Sequence, residues 1–153
     1  MNIELGKKIF FKCYGNMFTI QKEYGKEYKK CMIPKKYENE WLYEIQKQLY
    51  ETISNTSGRN RYLSFLKLCD IVSLNNAIEL TIKLLNINID YYERLLYTEY
   101  LKQLNKKVGR YELIEEINKN KMILDDNISL LKEHSKLYFV LDENKIKERI
   151  NRL

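Results

Sequence analysis

The chain has 153 residues, 44% of them hydrophobic and 31% charged, with a formal net charge of +6. That length suits one domain with a real core, and that apolar content excludes a disordered chain, which lacks the burial needed to offset ordering entropy. The longest uncharged stretch is nine residues, Cys13 to Gln21, about half of the roughly 18 that suggest a membrane span, so no membrane partner is expected.

The charge is unevenly placed. Residues 1–36 hold nine lysines against three glutamates, a net +6, and residues 37–153 balance at zero. A basic N-terminal segment on a neutral body points to a surface that meets something acidic. Lys, Ile, Asn and Tyr supply 66 of the 153 residues. All four have AT-rich codons, so a low-GC bacterial genome accounts for the bias, and the tyrosine count alone is no sign of base stacking. Cys13, Cys31 and Cys69 are odd in number and form no C-x-x-C pair, which reads as reduced thiols in a cytoplasm. The first residues include Glu4 and no apolar stretch of a secretory signal.

Pro34 is the only proline and there are five glycines, too few turn residues for a sheet-rich fold. Helices joined by short connections are expected, about six to eight of them in a single all-α bundle. Residues 3–14 have Ile9, Phe10, Cys13 and Tyr14 on one helical face, with Gly15-Asn16 as an interruption. A hairpin over 9–20 competes, because Met17–Ile20 is strand-compatible and Gly-Asn suits a two-residue turn. Lys26–Met32 reads as a short helix halted before Pro34. From Tyr37 to Ile53, Trp41, Leu42, Ile45, Leu49 and Ile53 form an amphipathic stripe, and Ser54–Asn60 is a loop.

Tyr62–Leu74 is polar only at Ser64, Lys67, Asp70 and Ser73, which predicts a helix covered on most sides. Asn75-Asn76 marks a break before an apolar helix over Ala77–Ile87. Asp90 is placed to cap a helix running to about Lys107, with Tyr91, Leu95, Leu101, Leu104 and Val108 inward and Gly109 as its stop. Ile114, Ile117, Leu124, Ile128 and Leu131 continue a near-heptad pattern, with a new helix beginning at Asp125-Asp126. Leu137–Leu141 is the one strand-like run, and Asp142 caps a last helix carrying Ile146 and Ile150.

The search for catalytic chemistry finds no motif. No phosphate-binding glycine loop is present, and the single histidine, His134, excludes two-histidine metal sites. Glu112, Glu115, Glu116, Asp125 and Asp126 read as a solvated face and helix cap before they read as ligands of a hard cation. Neither an enzyme nor a cofactor is expected.

Two binding signals remain. Lys22, Lys26, Lys29, Lys30, Lys35 and Lys36 form a candidate polyanion-binding set, interleaved with Tyr24 and Tyr28, which would stack on bases or pack on a core. Thr81–Leu96 resembles a helix-turn-helix core with Asn86 at the turn. Its second helix, however, would offer Asp90, Glu93 and only Arg94 to a phosphate-lined groove. The leading expectation is a non-catalytic helical protein, a regulator or adaptor, acting on a protein partner; the alternative is a nucleic-acid-binding regulator. Leu137, Phe139 and Leu141 are candidates for self-association into a homodimer, because five consecutive apolar residues need cover on both faces. Extended coil tucked on the chain's own bundle is the competing outcome.

Overall fold

The computed structural model describes residues 1–138 and 141–153, and among these the protein is all-α. Nine helices are present among the described residues, one more than the upper expectation: α1 (Ile3–Lys12), α2 (Met17–Cys31), α3 (Lys35–Asn55), α4 (Gly58–Cys69), α5 (Leu74–Leu85), α6 (Tyr91–Val108), α7 (Tyr111–Asp125), α8 (Ile128–Ser135) and α9 (Glu143–Asn151). They divide into two compact units. The first comprises Met1–Asn55 with Leu63–Val72, the second Thr56–Tyr62 with Ser73–Leu153.

In the first unit, α1 packs on α2 and α3. The Asn2 side chain caps α1 by accepting the Leu5 N–H at 3.0 Å. Tyr14 and Gly15 then take left-handed backbone, with Gly15 at φ +70°, a conformation glycine adopts without a steric penalty. A Cβ there would also stand 2.8 Å from Leu42 of α3. Asn16 opens α2 by accepting the Thr19 N–H at 3.2 Å, which satisfies one of the helix's orphan donors. The hairpin alternative over 9–20 is therefore replaced by helix, turn and helix. The expected short helix at Lys26–Met32 is the end of a 15-residue one, closed by Met32 in the left-handed region. Ile9, Phe10, Ile20, Tyr28, Cys31, Trp41, Ile45, Leu49, Ile53, Phe65 and Leu68 form the core. Phe10 anchors it, with ring centres 5.6 Å from Trp41 and 6.5 Å from Tyr28.

Four sequence expectations fail around α4 and the start of α5. The predicted loop 54–60 shrinks to residues 56 and 57, because α3 runs on to Asn55 and α4 begins at Gly58. The helix predicted over Tyr62–Leu74 breaks at Asp70–Ser73, since Ser73 caps α5 by accepting the Asn76 N–H at 3.2 Å. Asn75-Asn76 lies inside the first turn of α5. Nor is α4 covered on most sides: Phe65 and Leu68 are buried, while Leu63 is 42% exposed.

In the second unit α6 is central, packed by α5, α7 and α8, with α9 against α7 and α8. Asp90 caps α6 by accepting the Glu93 N–H at 2.6 Å, and Gly109 ends it at φ +63°, both as the sequence predicts. Tyr92, Leu95, Leu124, Leu131, Leu141, Ile146 and Ile150 form one apolar cluster. Leu113 replaces the expected Ile114 on the inner seam of α7, and Ile114 is exposed. The break after α7 falls at 126 and 127, not at the start of the Asp125-Asp126 pair. Among the described residues no strand is present. Leu137–Tyr138 belongs to a turn after α8, and the middle of the predicted strand-like run, 139–140, lies outside the described residues.

Candidate functional site

The phase of α2 is set by what it buries. Ile20, Tyr28 and Cys31 face the core, at a spacing that keeps them on one side of a 3.6-residue helix. The Tyr28 hydroxyl donates to Glu38 Oε1 at 2.8 Å; burial, with the Glu38 carboxylate beside it, holds this phenol well above its ordinary pKa. Tyr24 is half-buried, with the Lys12 ammonium 5.1 Å from its ring centre. Both interleaved tyrosines are thus taken up by the protein itself.

With that side fixed, the opposite face carries Phe18, Lys22, Lys26 and Lys29 at steps of three or four residues, with Gly25 and Lys30 beside them. Lys22, Lys26, Lys29 and Lys30 are all exposed, and among the described residues none of the four forms an ion pair. Lys35 and Lys36 differ. They sit in the first turn of α3, where Lys35 pairs with Glu38 at 3.1 Å and Lys36 with Glu40 at 4.0 Å. The six predicted lysines therefore separate into an unpaired set of four on α2 and a partnered set of two on α3. Lys26, Lys29, Lys30 and Met32 line one shallow depression of about 540 Å³. Glu23 and Glu27, also exposed, border this face, about a quarter turn or more from Lys22 but three residues before Lys26 and Lys30 respectively.

The helix-turn-helix residues and His134 are engaged within the second unit, and the remaining candidates are scattered. Of the helix-turn-helix residues, Asp90 is a cap, and Glu93 is 1% exposed. Arg94 Nη1 donates to the Leu85 carbonyl at 2.9 Å and to Asn120 Oδ1 at 2.5 Å. His134 Nδ1 accepts the Tyr91 N–H at 2.9 Å, and its ring stacks on Tyr91. Glu112, Glu115, Asp125 and Asp126 are exposed, while Glu116 accepts from Asn120 Nδ2 at 3.3 Å. Among the described residues, no three His, Cys, Asp or Glu side chains converge where a metal ion would fit. Cys13 and Cys31 are buried, and burial raises the Cys13 thiol above its ordinary value, which disfavours a nucleophilic thiolate. Leu137 is 74% exposed, whereas Leu141, at 8%, is part of the second unit's core; Phe139 lies outside the described residues.

One cluster went unseen in the sequence. Glu93 Oε1 accepts from the Tyr97 hydroxyl at 2.7 Å and stands 3.3 Å from Arg61 Nε. Its Oε2 accepts the Gly58 N–H at 3.3 Å. The Tyr138 hydroxyl donates to the neighbouring Asp90 at 3.3 Å. Burial pushes the Glu93 carboxyl above the ordinary range, against the pull of Tyr97 and Arg61. The only sequence signal was the i, i+4 placement of Glu93 and Tyr97 beside a helix cap. Closed from solvent and bonded on both oxygens, this carboxylate is a structural tie between the start of α4 and α6. No family model matches the chain, and no curated protein or solved structure matches it either.

Proposed function

We propose that this is a non-catalytic binding protein, a small regulator or adaptor, whose contact surface is the outer face of α2 and whose partner is acidic. A single observation carries this: Lys22, Lys26, Lys29 and Lys30 share an exposed helix face and form no ion pair among the described residues. A solvated surface helix usually mixes its charges. Four cations on one face, paired with neither Glu23 nor Glu27, make a local positive field that attracts a polyanion and releases its counterions on contact.

Retention on two immobilised polyanions, polyglutamate and single-stranded DNA, tests the proposal. The unmodified protein binds at least one of them at low salt. If four lysines meet phosphates of single-stranded DNA, log K falls against log salt with a slope of about −3. Replacing Lys22, Lys26, Lys29 and Lys30 together by Gln abolishes retention, and replacing the partnered Lys35 and Lys36 changes it little. Failure of the unmodified protein to bind either polyanion at low salt ends the proposal.

A further inference from the structure

Lysines are not the only residues that α2 leaves in solvent. Phe18 is 75% exposed and Met32 is 66% exposed. Phe18 precedes Lys22 by four residues and so begins the same face, while Met32 shares the depression lined by Lys26, Lys29 and Lys30. The two apolar groups are fourteen positions apart in the sequence, a span of about 21 Å along a helix. Gly25 lies midway on this face, and a Cβ there would meet nothing within 4 Å. The fold does not require glycine at this helix-interior position, where it is about 1 kcal/mol less favourable than alanine. A bare backbone in the middle of a contact face lets a partner approach closely.

We infer that this face receives an acidic segment of a partner protein, with carboxylates over Lys22, Lys26, Lys29 and Lys30 and apolar residues over Phe18 and Met32. The inference rests on the binding function proposed above and names its partner. Three observations favour a protein over a nucleic acid. Phe and Met are residue types enriched in protein interfaces, and here they bracket the charge. The tyrosines that would stack on bases are withdrawn, Tyr28 into the core and Tyr24 beneath Lys12. No arginine occurs in Met1–Asn55 or Leu63–Val72, so the first unit has none of the planar forks that grip phosphate bidentately.

Three probes test it by fluorescence anisotropy: an acidic peptide of about fifteen residues, long enough to span the face as a helix, with a leucine near each end; a peptide of equal charge with those leucines replaced by serine; and single-stranded DNA of equal charge. The leucine-bearing peptide should bind about tenfold more tightly than its serine counterpart, the effect of burying one or two apolar side chains. Phe18→Ser with Met32→Ser should erase that difference while leaving the circular dichroism of the protein unchanged. Equal affinity for the two peptides, or tighter binding of the DNA than of either, overturns the inference while leaving the polyanion-binding function in place. If none of the three binds at low salt, both fall together.

Discussion

Glu93 and Arg61 form the most deeply buried ion pair among the described residues. Buried ion pairs contribute little against an apolar replacement of both partners, yet removing one partner costs about 3–5 kcal/mol because a charge is left uncompensated. Arg61 is 8% exposed and Glu93 1%, so Arg61→Met should lower the unfolding free energy by about that amount at neutral pH, measured by urea denaturation. The pH dependence has a definite sign. Burial already holds the Glu93 carboxyl above its ordinary value, with Asp90 adding to the rise and Tyr97, Arg61 and the Gly58 N–H opposing it; Tyr138, donating to Asp90, also faces the cluster. A folded-state pKa above the unfolded one means that the native state binds the extra proton. Stability from this group is then greatest below the unfolded pKa and falls as pH rises through the folded one. Without Arg61 the carboxyl moves higher still, so mild acid should return part of the variant's lost stability. A deficit that stays constant from neutral to mildly acidic pH would show that packing, not charge, is what Arg61 supplies.

At the scale of elements, legibility followed the strength of local signals. The stripe of α3 was readable because Trp41, Ile45, Leu49 and Ile53 recur at helical spacing, and all four are buried. Asp90 and Gly109 bracketed α6, and Asp142 capped α9 by accepting the Lys145 N–H at 2.8 Å. The start of α2 was ambiguous for a physical reason: Gly-Asn serves equally as a hairpin turn and as a left-handed exit followed by an N-cap. That ambiguity hid the basic face. With the helix taken to begin at Lys26, Lys22 and Phe18 have no phase relation to Lys29, and the basic face cannot be drawn. The lysines were visible as composition; their alignment needed the true helix start, which Asn16 determines. Two substitutions check this account by denaturation midpoint. Asn16→Ala removes the cap and should cost about 1 kcal/mol. Gly25→Ala, at a helix-interior site with open space around its Cβ, should stabilise the protein by roughly 0.5–1 kcal/mol. A loss of stability in Gly25→Ala would mean that the fold itself needs glycine there.

At the scale of the whole molecule, the question is whether two copies associate. Five apolar residues at Leu137–Leu141 make a homodimer attractive on sequence grounds, but burial separates the three that the structure describes. Leu141 joins Leu131, Ile146 and Ile150 inside the second unit's core, and Tyr138 packs on Tyr92 with ring centres 4.5 Å apart. Of the described residues in the run, only Leu137 stands in solvent, at 74% exposure. The described part of the run thus exposes one leucine, against the roughly 800 Å² per partner that a stable interface buries. The lysine face of α2 opposes pairing through itself as well: two copies meeting there would place lysines against lysines, and like charges facing one another raise the free energy of contact. The net charge of +6 adds a general repulsion at low ionic strength. We therefore expect sedimentation equilibrium to give the mass of one chain at micromolar concentration, at low and at physiological salt. Leu137→Ser should leave both that mass and the denaturation midpoint unchanged, as for other isolated surface positions. Leu141→Ala should instead destabilise by about 2–5 kcal/mol, the range for emptying a buried leucine site. A dimer dispersed by Leu137→Ser, with the monomer still folded, would restore the C-terminal run as an interface and refute the expectation.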